Sequence, residues 1–318
     1  MYARKNNGHT TNKIAKAKMI RYLFFCSIIF MGLLSGCTSV VYQDPDYYTE
    51  QIQQAQDVLL VEFELESSSE LNSDVTNSIQ SKLVELKKYR FAGKYNQGGH
   101  YVLRELNEQG TYDAKESSNS ENLEPDYLLK IHLSPERTIK GSGAVRNFLY
   151  SCVASFTFEK KNDKILANGQ DQARRGVTQK RNFSSTESGQ DAKDDQANIN
   201  DMIQISFNRI CAQIYNAIPL TATIQSGFGD SYTINKGRQE GFHPNQNVVI
   251  LMKENDTCIP VAKATITAIH SHLSNIEVTD WINADMEDTI GGNIQYLKQN
   301  QNKLFVLAEN VDREFFKK

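Results

Sequence analysis

The chain has 318 residues, 38 of them acidic against 35 Lys and Arg, for a formal net charge of −3. That balance excludes nucleic acid as a partner, because phosphate backbones call for a concentrated basic surface. The five cysteines show no CxxC or Cys/His spacing, which excludes a zinc-type centre, and no cofactor is implied.

The N-terminus carries Arg4, Lys5, Lys13, Lys16, Lys18 and Arg21 with no acidic residue, then an apolar run from Tyr22 to Leu34. A run of thirteen residues is too short to cross a bilayer comfortably, so the order basic, apolar, small reads as a secretory leader. Leu34-Ser35-Gly36-Cys37 resembles a bacterial lipobox. The resemblance implies cleavage between Gly36 and Cys37 and lipidation of the Cys37 thiol. Two starts fit, Met1 or Met19, the second giving the more compact leader. Thr38 rather than Asp follows the cysteine, which by enteric-type sorting implies the periplasmic face of the outer membrane. Loss of the six basic leader residues leaves 29 Lys and Arg against 38 acidic residues, a net charge of −9. An acidic body cannot dock on anionic lipid by charge, so the membrane contact would be the lipid on Cys37 alone.

Cys152, Cys211 and Cys258 remain in the mature chain, and two readings stand. Cys152 pairs with Cys211 in a disulfide, or all three are buried thiols acting as small apolar side chains.

Residues 38–56 lack a regular apolar pattern and read as a flexible tether, 37–56. Val58–Phe63 has the composition of a strand, and Ser73 is placed to cap a helix whose apolar face is Val75, Ile79, Leu83 and Leu86. The Lys87-Lys88 pair at its end suits the helix dipole. A strand follows near Arg90–Tyr95, then a short helix over Tyr101–Gln109 and a polar loop over 111–124. Strands are expected from Asp126, over Asn147–Glu159 and over Ile165–Ala173. In the second of these Phe148, Tyr150, Cys152, Ala154, Phe156 and Phe158 share one face at period two. Residues 183–198 read as a loop. Ile199 to Ile218 reads as a long amphipathic helix stopped by Pro219.

From Leu220 the texture changes to short β-prone runs between Gly and Asn turns, at Ile224, Thr233-Ile234, Val248–Leu251, Ala264–Ile269, Ile276–Val278 and Asn293–Leu297. Such runs predict a small barrel or sandwich. Leu304, Leu307, Val311 and Phe315 fall at helical spacing in the tail.

The β-α-β-α-β-β-β-α order of 57–219 resembles a group of bacterial envelope lipoproteins. The group includes the curli secretion lipoproteins (CsgG), the penicillin-binding-protein activators (LpoB) and the N-terminal domain of TolB. Val61-Glu62-Phe63, Leu103-Arg104-Glu105-Leu106-Asn107-Glu108-Gln109 and Pro125-Asp126-Tyr127-Leu128-Leu129 carry the likeness. A glycine and a Thr-Gly pair of the group's pattern are missing. Ile234-Asn235-Lys236-Gly237 with Gly241-Phe242 resembles the SH3-like C-terminal domain of the flagellar FlgT proteins. Gly237 and Gly241 suit positive φ there, and Asn245, in place of a third glycine, is the residue best able to replace one. The expected class is thus α+β. A β/α sandwich-type domain (57–219) precedes a small SH3-like β-barrel (220–298) and a tail that reads as helical (299–318).

No nucleophile–base pair, carboxylate pair or metal set stands out, and a non-enzymatic role follows. His270-Ser271-His272 reads as a strand end, Gly227–Ser231 as a turn without a Walker lysine, and Asp194-Asp195 and Asp285, Glu287, Asp288 lack calcium-loop spacing. The resemblance implies an envelope assembly adaptor or activator whose partners are periplasmic envelope proteins. The alternative is a homo-oligomeric secretion channel subunit, and the third reading a periplasmic hydrolase. Candidate binding surfaces are the two polar loops, the tail, and the aromatics Phe228 and Trp281 of the second module.

Overall fold

A computed structural model describes residues 42–55, 59–97, 100–112, 125–140, 145–161, 165–180 and 189–316. The leader, Gly36 and Cys37 lie outside the described residues.

The first module is a six-stranded sheet. Its strands are β1 (Leu59–Ser67), β2 (Tyr89–Gln97), β3 (His100–Glu105), β4 (Tyr127–Lys140), β5 (Val145–Lys160) and β6 (Ile165–Lys180), in the order β3-β2-β1-β4-β5-β6. β1 runs parallel to β2 and to β4, and every other pairing is antiparallel. Alternation decides which face is covered. Tyr127, Leu129, Ile131 and Leu133 of β4 are buried beside Phe148, Tyr150, Cys152, Ala154, Phe156 and Phe158 of β5, while the residues between them face outward. Each large apolar side chain so buried contributes about 1.5–3 kcal/mol.

An α-helix, Ser73–Glu85, and a longer one, Gly189–Asn216, pack on that apolar face and on each other. The N-cap of the first is Asn72, one residue before the expected Ser73, and its Oδ1 accepts from the Val75 amide at 2.8 Å. The longer helix begins some ten residues before Ile199, so much of the expected loop 183–198 is helical. Asp195 explains the extension. It accepts the Tyr150 hydroxyl hydrogen and sits 2.8 Å from Arg137 Nη2, which anchors this polar stretch to the sheet.

The expected short helix at Tyr101–Gln109 is instead β3 followed by a turn. Asn107 Oδ1 accepts from the amides of Gln109 and Thr111, each at 3.0 Å, and Gly110 takes φ +73°. Leu103 and Leu106 are three apart because a strand gives way to a turn between them.

The ladder between β1 and β4 ends where the Ser68 amide donates to the Leu133 carbonyl at 2.9 Å. The next β4 residue with its backbone turned to that side is Pro135, which has no N–H to leave unpaired.

The second module is a closed barrel, order β10-β11-β8-β7-β12-β9. Its strands are β7 (Thr221–Phe228), β8 (Ser231–Ile234), β9 (Asn247–Glu254), β10 (Thr257–Ile269), β11 (Ser274–Trp281) and β12 (Leu304–Ala308). Two expectations fail here. Asn293–Leu297 is not a strand, because Asn293 Oδ1 caps a helix over Ile294–Asn300 by accepting from the Tyr296 amide at 3.0 Å. The tail is not a helix, because β12 fills the gap between β7 and β9 and removes both their free edges. The tail therefore belongs to the barrel.

Residues 38–56 are not wholly a tether either. Pro45–Gln54 is a helix, with Asp44 as N-cap and Pro at its start, and it packs on β10. The Cys258 amide donates to Thr49 Oγ1 at 2.9 Å and Tyr48 is buried. Numbered in chain order, the helices of seven or more residues among the described residues are α1 (Pro45–Gln54), α2 (Ser73–Glu85), α3 (Gly189–Asn216) and α4 (Ile294–Asn300).

Candidate functional site

Parallel strands leave a crevice beyond their carboxyl ends, a common ligand position in mixed folds. Here a cleft of about 550 Å³ opens at the end of β1, between Phe63, Glu64, Lys94, Tyr112 and the α2 residues Thr76 and Gln80. Gly93 is what lets Tyr112 reach the sheet. A Cβ there would lie 2.2 Å from the Tyr112 hydroxyl and 2.7 Å from the Phe63 ring. Lys94 is committed to Glu64, and that hydrogen bond holds its ammonium above the ordinary lysine range. A lysine so held is neither a base nor a nucleophile at neutral pH. Glu62, almost covered, takes Lys161 at 2.5 Å and Lys94 at 3.9 Å. The cleft therefore offers polar contacts and no activated group.

On the uncovered sheet face Ser134 Oγ lies 3.0 Å from His132 Nε2, and His132 Nδ1 lies 3.8 Å from Glu66 Oε2. The order serine, histidine, carboxylate is that of a hydrolytic triad. Its setting is not. The Glu66 side chain is 75% exposed and that of His132 49%, and no oxyanion hole forms among the described residues, since Pro135 beside Ser134 has no N–H and the Leu133 backbone is turned to β1.

The structure ties the modules together through groups to which the sequence reading assigns other roles or none. Lys88 is buried and its ammonium donates to the carbonyls of Tyr215, at 2.5 Å, and of Ile218. It thus serves the C-terminus of α3, not of α2, whose end it follows in sequence. Burial pushes this lysine down to about 7, while the Tyr215 ring lies 4.5 Å from Nζ. Tyr89 donates its hydroxyl to the Ile214 carbonyl at 3.0 Å. Tyr215 donates to the Gly241 carbonyl at 2.8 Å, and Gln246 Nε2 donates to Tyr215 Oη at 2.9 Å. Beside this joint a second cleft of about 320 Å³ is walled by Phe242, His243, Phe315 and Phe316. The His243 ring packs edge-on against Phe315 and Phe316, and burial pushes it down to about 4. A lysine running straight into aromatics, Lys88-Tyr89-Arg90-Phe91, was the sequence signal, and it does not name the carbonyls it meets.

The turn residues divide. Gly241 and Asn245 take positive φ, +95° and +61°, as expected. Gly237 does not, its φ being −139°. It is glycine for space, since a Cβ would meet the His270 carbonyl oxygen at 2.3 Å and the Leu273 amide nitrogen at 2.7 Å. His270 and His272 are not brought together as ligands. The first accepts at its carbonyl from Arg238 N, and the second places Nδ1 2.6 Å from Glu240 Oε1. No metal-holding cluster occurs among the described residues.

Cys152, Cys211 and Cys258 are free and buried, so the Cys152–Cys211 disulfide is not formed. The two thiols sit on different elements, Cys152 on β5 and Cys211 on α3, and face different neighbours. Cys152 meets Ser206 and the Ser134 backbone, whereas Cys211 looks toward Lys82 and Glu85 of α2. Phe228 is exposed, and Trp281 is half-buried with its Nε1 donating to Asp230 Oδ1 at 3.0 Å.

No protein family and no curated protein sequence matches the chain. Among solved structures it is similar to a minor lipoprotein from Acinetobacter baumannii, at 12% identity and a TM-score of 0.30, over 49% of this chain and 90% of that one. It is also similar to a hypothetical protein from Chlamydia trachomatis, at 10% identity and a TM-score of 0.26, over 50% of this chain and 97% of that one. A third, from Xanthomonas campestris, has 11% identity and a TM-score of 0.19, over 50% of this chain and 82% of that one. These likenesses are too loose to carry a function to this chain.

Proposed function

We propose that the chain is a lipoprotein anchored through Cys37 to the periplasmic face of the outer membrane, and that it works there as an assembly adaptor or activator for other envelope proteins. The observation that carries this reading is the buried polar joint of Lys88, Tyr215, Gly241 and Gln246. Its hydrogen bonds join the sheet to the barrel, and such a joint would keep surfaces on the two modules at a set separation, as a protein that presents one partner to another requires. The lipid supplies the anchor and the acidic body stays off the anionic lipid surface. The barrel would correspond to the SH3-like module of the flagellar resemblance, and the sheet to the curli and activator group.

Against a secretion channel stands the fate of the β5–β6 hairpin. The apolar β5 face that a channel subunit would turn to lipid, including Phe148 and Tyr150, lies under α3. Light scattering on the lipidated protein in mild detergent tests the choice. A monomer or dimer supports the adaptor, and a ring of many subunits overturns it. Mass spectrometry of the mature N-terminus, with Cys37→Ser as control, tests the anchor.

Hydrolysis at Ser134 has one observation in its favour, the Ser134–His132–Glu66 alignment. A fluorophosphonate probe that labels the wild type and not Ser134→Ala would establish it.

A further inference from the structure

We propose that the end of the barrel carrying Phe228 is the docking surface for a cationic protein segment that also bears large apolar side chains. β7, β9 and β11 all run toward this end, since β12 is antiparallel to both β7 and β9 and β10 is antiparallel to both β9 and β11. Three large apolar side chains stand in solvent there: Phe228 at 58% exposure, Ile282 at 37% and Ile294 at 46%. Phe228 ends β7, Ile282 directly follows β11, and Ile294 opens α4, which packs on β7 and on the turn before it. Side chains of this size left in solvent at one end of a folded module are a usual mark of an interaction site.

The tip is held in place before any partner arrives. The Gly229 amide donates to the Gly291 carbonyl at 2.9 Å and the Val278 amide to the Asp230 carbonyl at 2.7 Å. Trp281 pins the Asp230 carboxylate through Nε1. Gly291 is glycine because a Cβ would press on the Trp281 ring at 3.1 Å. A preorganised surface spends less of its binding energy on ordering itself.

Charge selects the occupant. From Ile282 to Leu297 the chain holds Asp285, Glu287 and Asp288 and no basic residue. These carboxylates make no ion pair among the described residues, and Asp230, Glu254 and Asp256 add to the same rim, outnumbering the exposed Lys253 beside them. A second copy is disfavoured, because a self-complementary contact would set this acidic rim against its own kind. An anionic membrane is disfavoured for the same reason. A basic segment with leucine- or phenylalanine-sized side chains satisfies both features, the apolar groups meeting Phe228 and the cations meeting the rim.

This inference rests on the adaptor reading and names the partner class that reading lacks. The test uses the full lipidated protein in detergent and a fluorescent peptide of alternating lysine and leucine, with a glutamate–leucine peptide as the control. Fluorescence anisotropy should show binding of the lysine peptide alone, weakening with salt. Phe228→Ala, and separately the triple change D285N/E287Q/D288N, should each weaken it about tenfold. E70Q/E108Q/E136Q removes the same number of charges from the sheet module and should leave affinity unchanged. No binding, equal loss in that control, or no effect of Phe228→Ala overturns the proposal. Thermal midpoints of the variants show that the fold survives. A many-subunit ring by light scattering would remove the adaptor, and the peptide titration would still judge the tip.

Discussion

Tyr215, in the last turn of α3, donates its hydroxyl hydrogen to the Gly241 carbonyl across 2.8 Å and so ties a helix of the sheet module to a turn of the barrel. Gln246 closes the arrangement by donating to the Tyr215 hydroxyl oxygen. Removing only that oxygen, by Tyr215→Phe, leaves a buried carbonyl and a buried amide each short of a partner. Denaturant unfolding should show a loss of about 1–3 kcal/mol. A variant as stable as the wild type would mean that water replaces the hydroxyl and that the joint is not what couples the modules.

Lys88 and His243 give this joint a pH dependence of defined sign. The folded lysine, near 7, lies below its ordinary 10.5. Between those values the unfolded chain holds a proton that the folded chain has released, so stability rises with pH across that window. The folded histidine, near 4, lies below its ordinary 6.5. Stability therefore falls as pH drops from 6.5 toward 4. Subtracting the profile of Lys88→Met from that of the wild type isolates the first window, and His243→Phe isolates the second. A difference that stays flat across either window counts against the assigned burial of that group.

The turn glycines separate steric need from conformational need. At Gly237 φ is −139°, outside the left-handed region, and an added Cβ would collide with the His270 carbonyl and the Leu273 amide. Gly237→Ala should cost about 1–3 kcal/mol by overpacking. At Asn245, with φ +61° and its side chain exposed, the need is only for the left-handed region. Asn245→Gly should be nearly neutral and Asn245→Ala should cost about 1–2 kcal/mol. Thermal or denaturant melts of the three variants rank them, and a neutral Gly237→Ala would overturn the steric account.

These turns also show what the sequence discloses. Positive φ at Gly241 and Asn245 is legible, because residue type and left-handed backbone are linked locally. The space needed at Gly237 is not, because the atoms that demand it are more than thirty residues away. Periodicity placed β1, α2, β5 and the second half of α3 correctly, since each buries one regular face. It failed for β12, whose leucines mimic helical spacing, because only closure of the barrel decides their state. It failed again for the first half of α3, a polar stretch that is held by the buried Asp195 pairing with Tyr150 and Arg137. Lys88 looked like a cap for the helix it follows and instead serves a helix well over a hundred residues later. Phe228 and Trp281 were visible as aromatics, but only the fold separates the exposed ring from the one packed beside Asp230.

The cysteines give the last prediction. Cys152, Cys211 and Cys258 are free and buried. Burial raises all three thiols, Cys211 to about 12, so almost none of the reactive thiolate is present near neutrality. The native mature protein should be nearly inert to a thiol reagent, and all three should react once the chain is unfolded in denaturant. Non-reducing and reducing gels should show the same mobility, even after purification under oxidising conditions. A mobility shift together with two missing thiols would restore the Cys152–Cys211 pairing. It would also require α3 to rotate, because Cys152 on β5 now meets Ser206 of α3 while Cys211 faces away from the sheet toward Lys82 and Glu85 of α2.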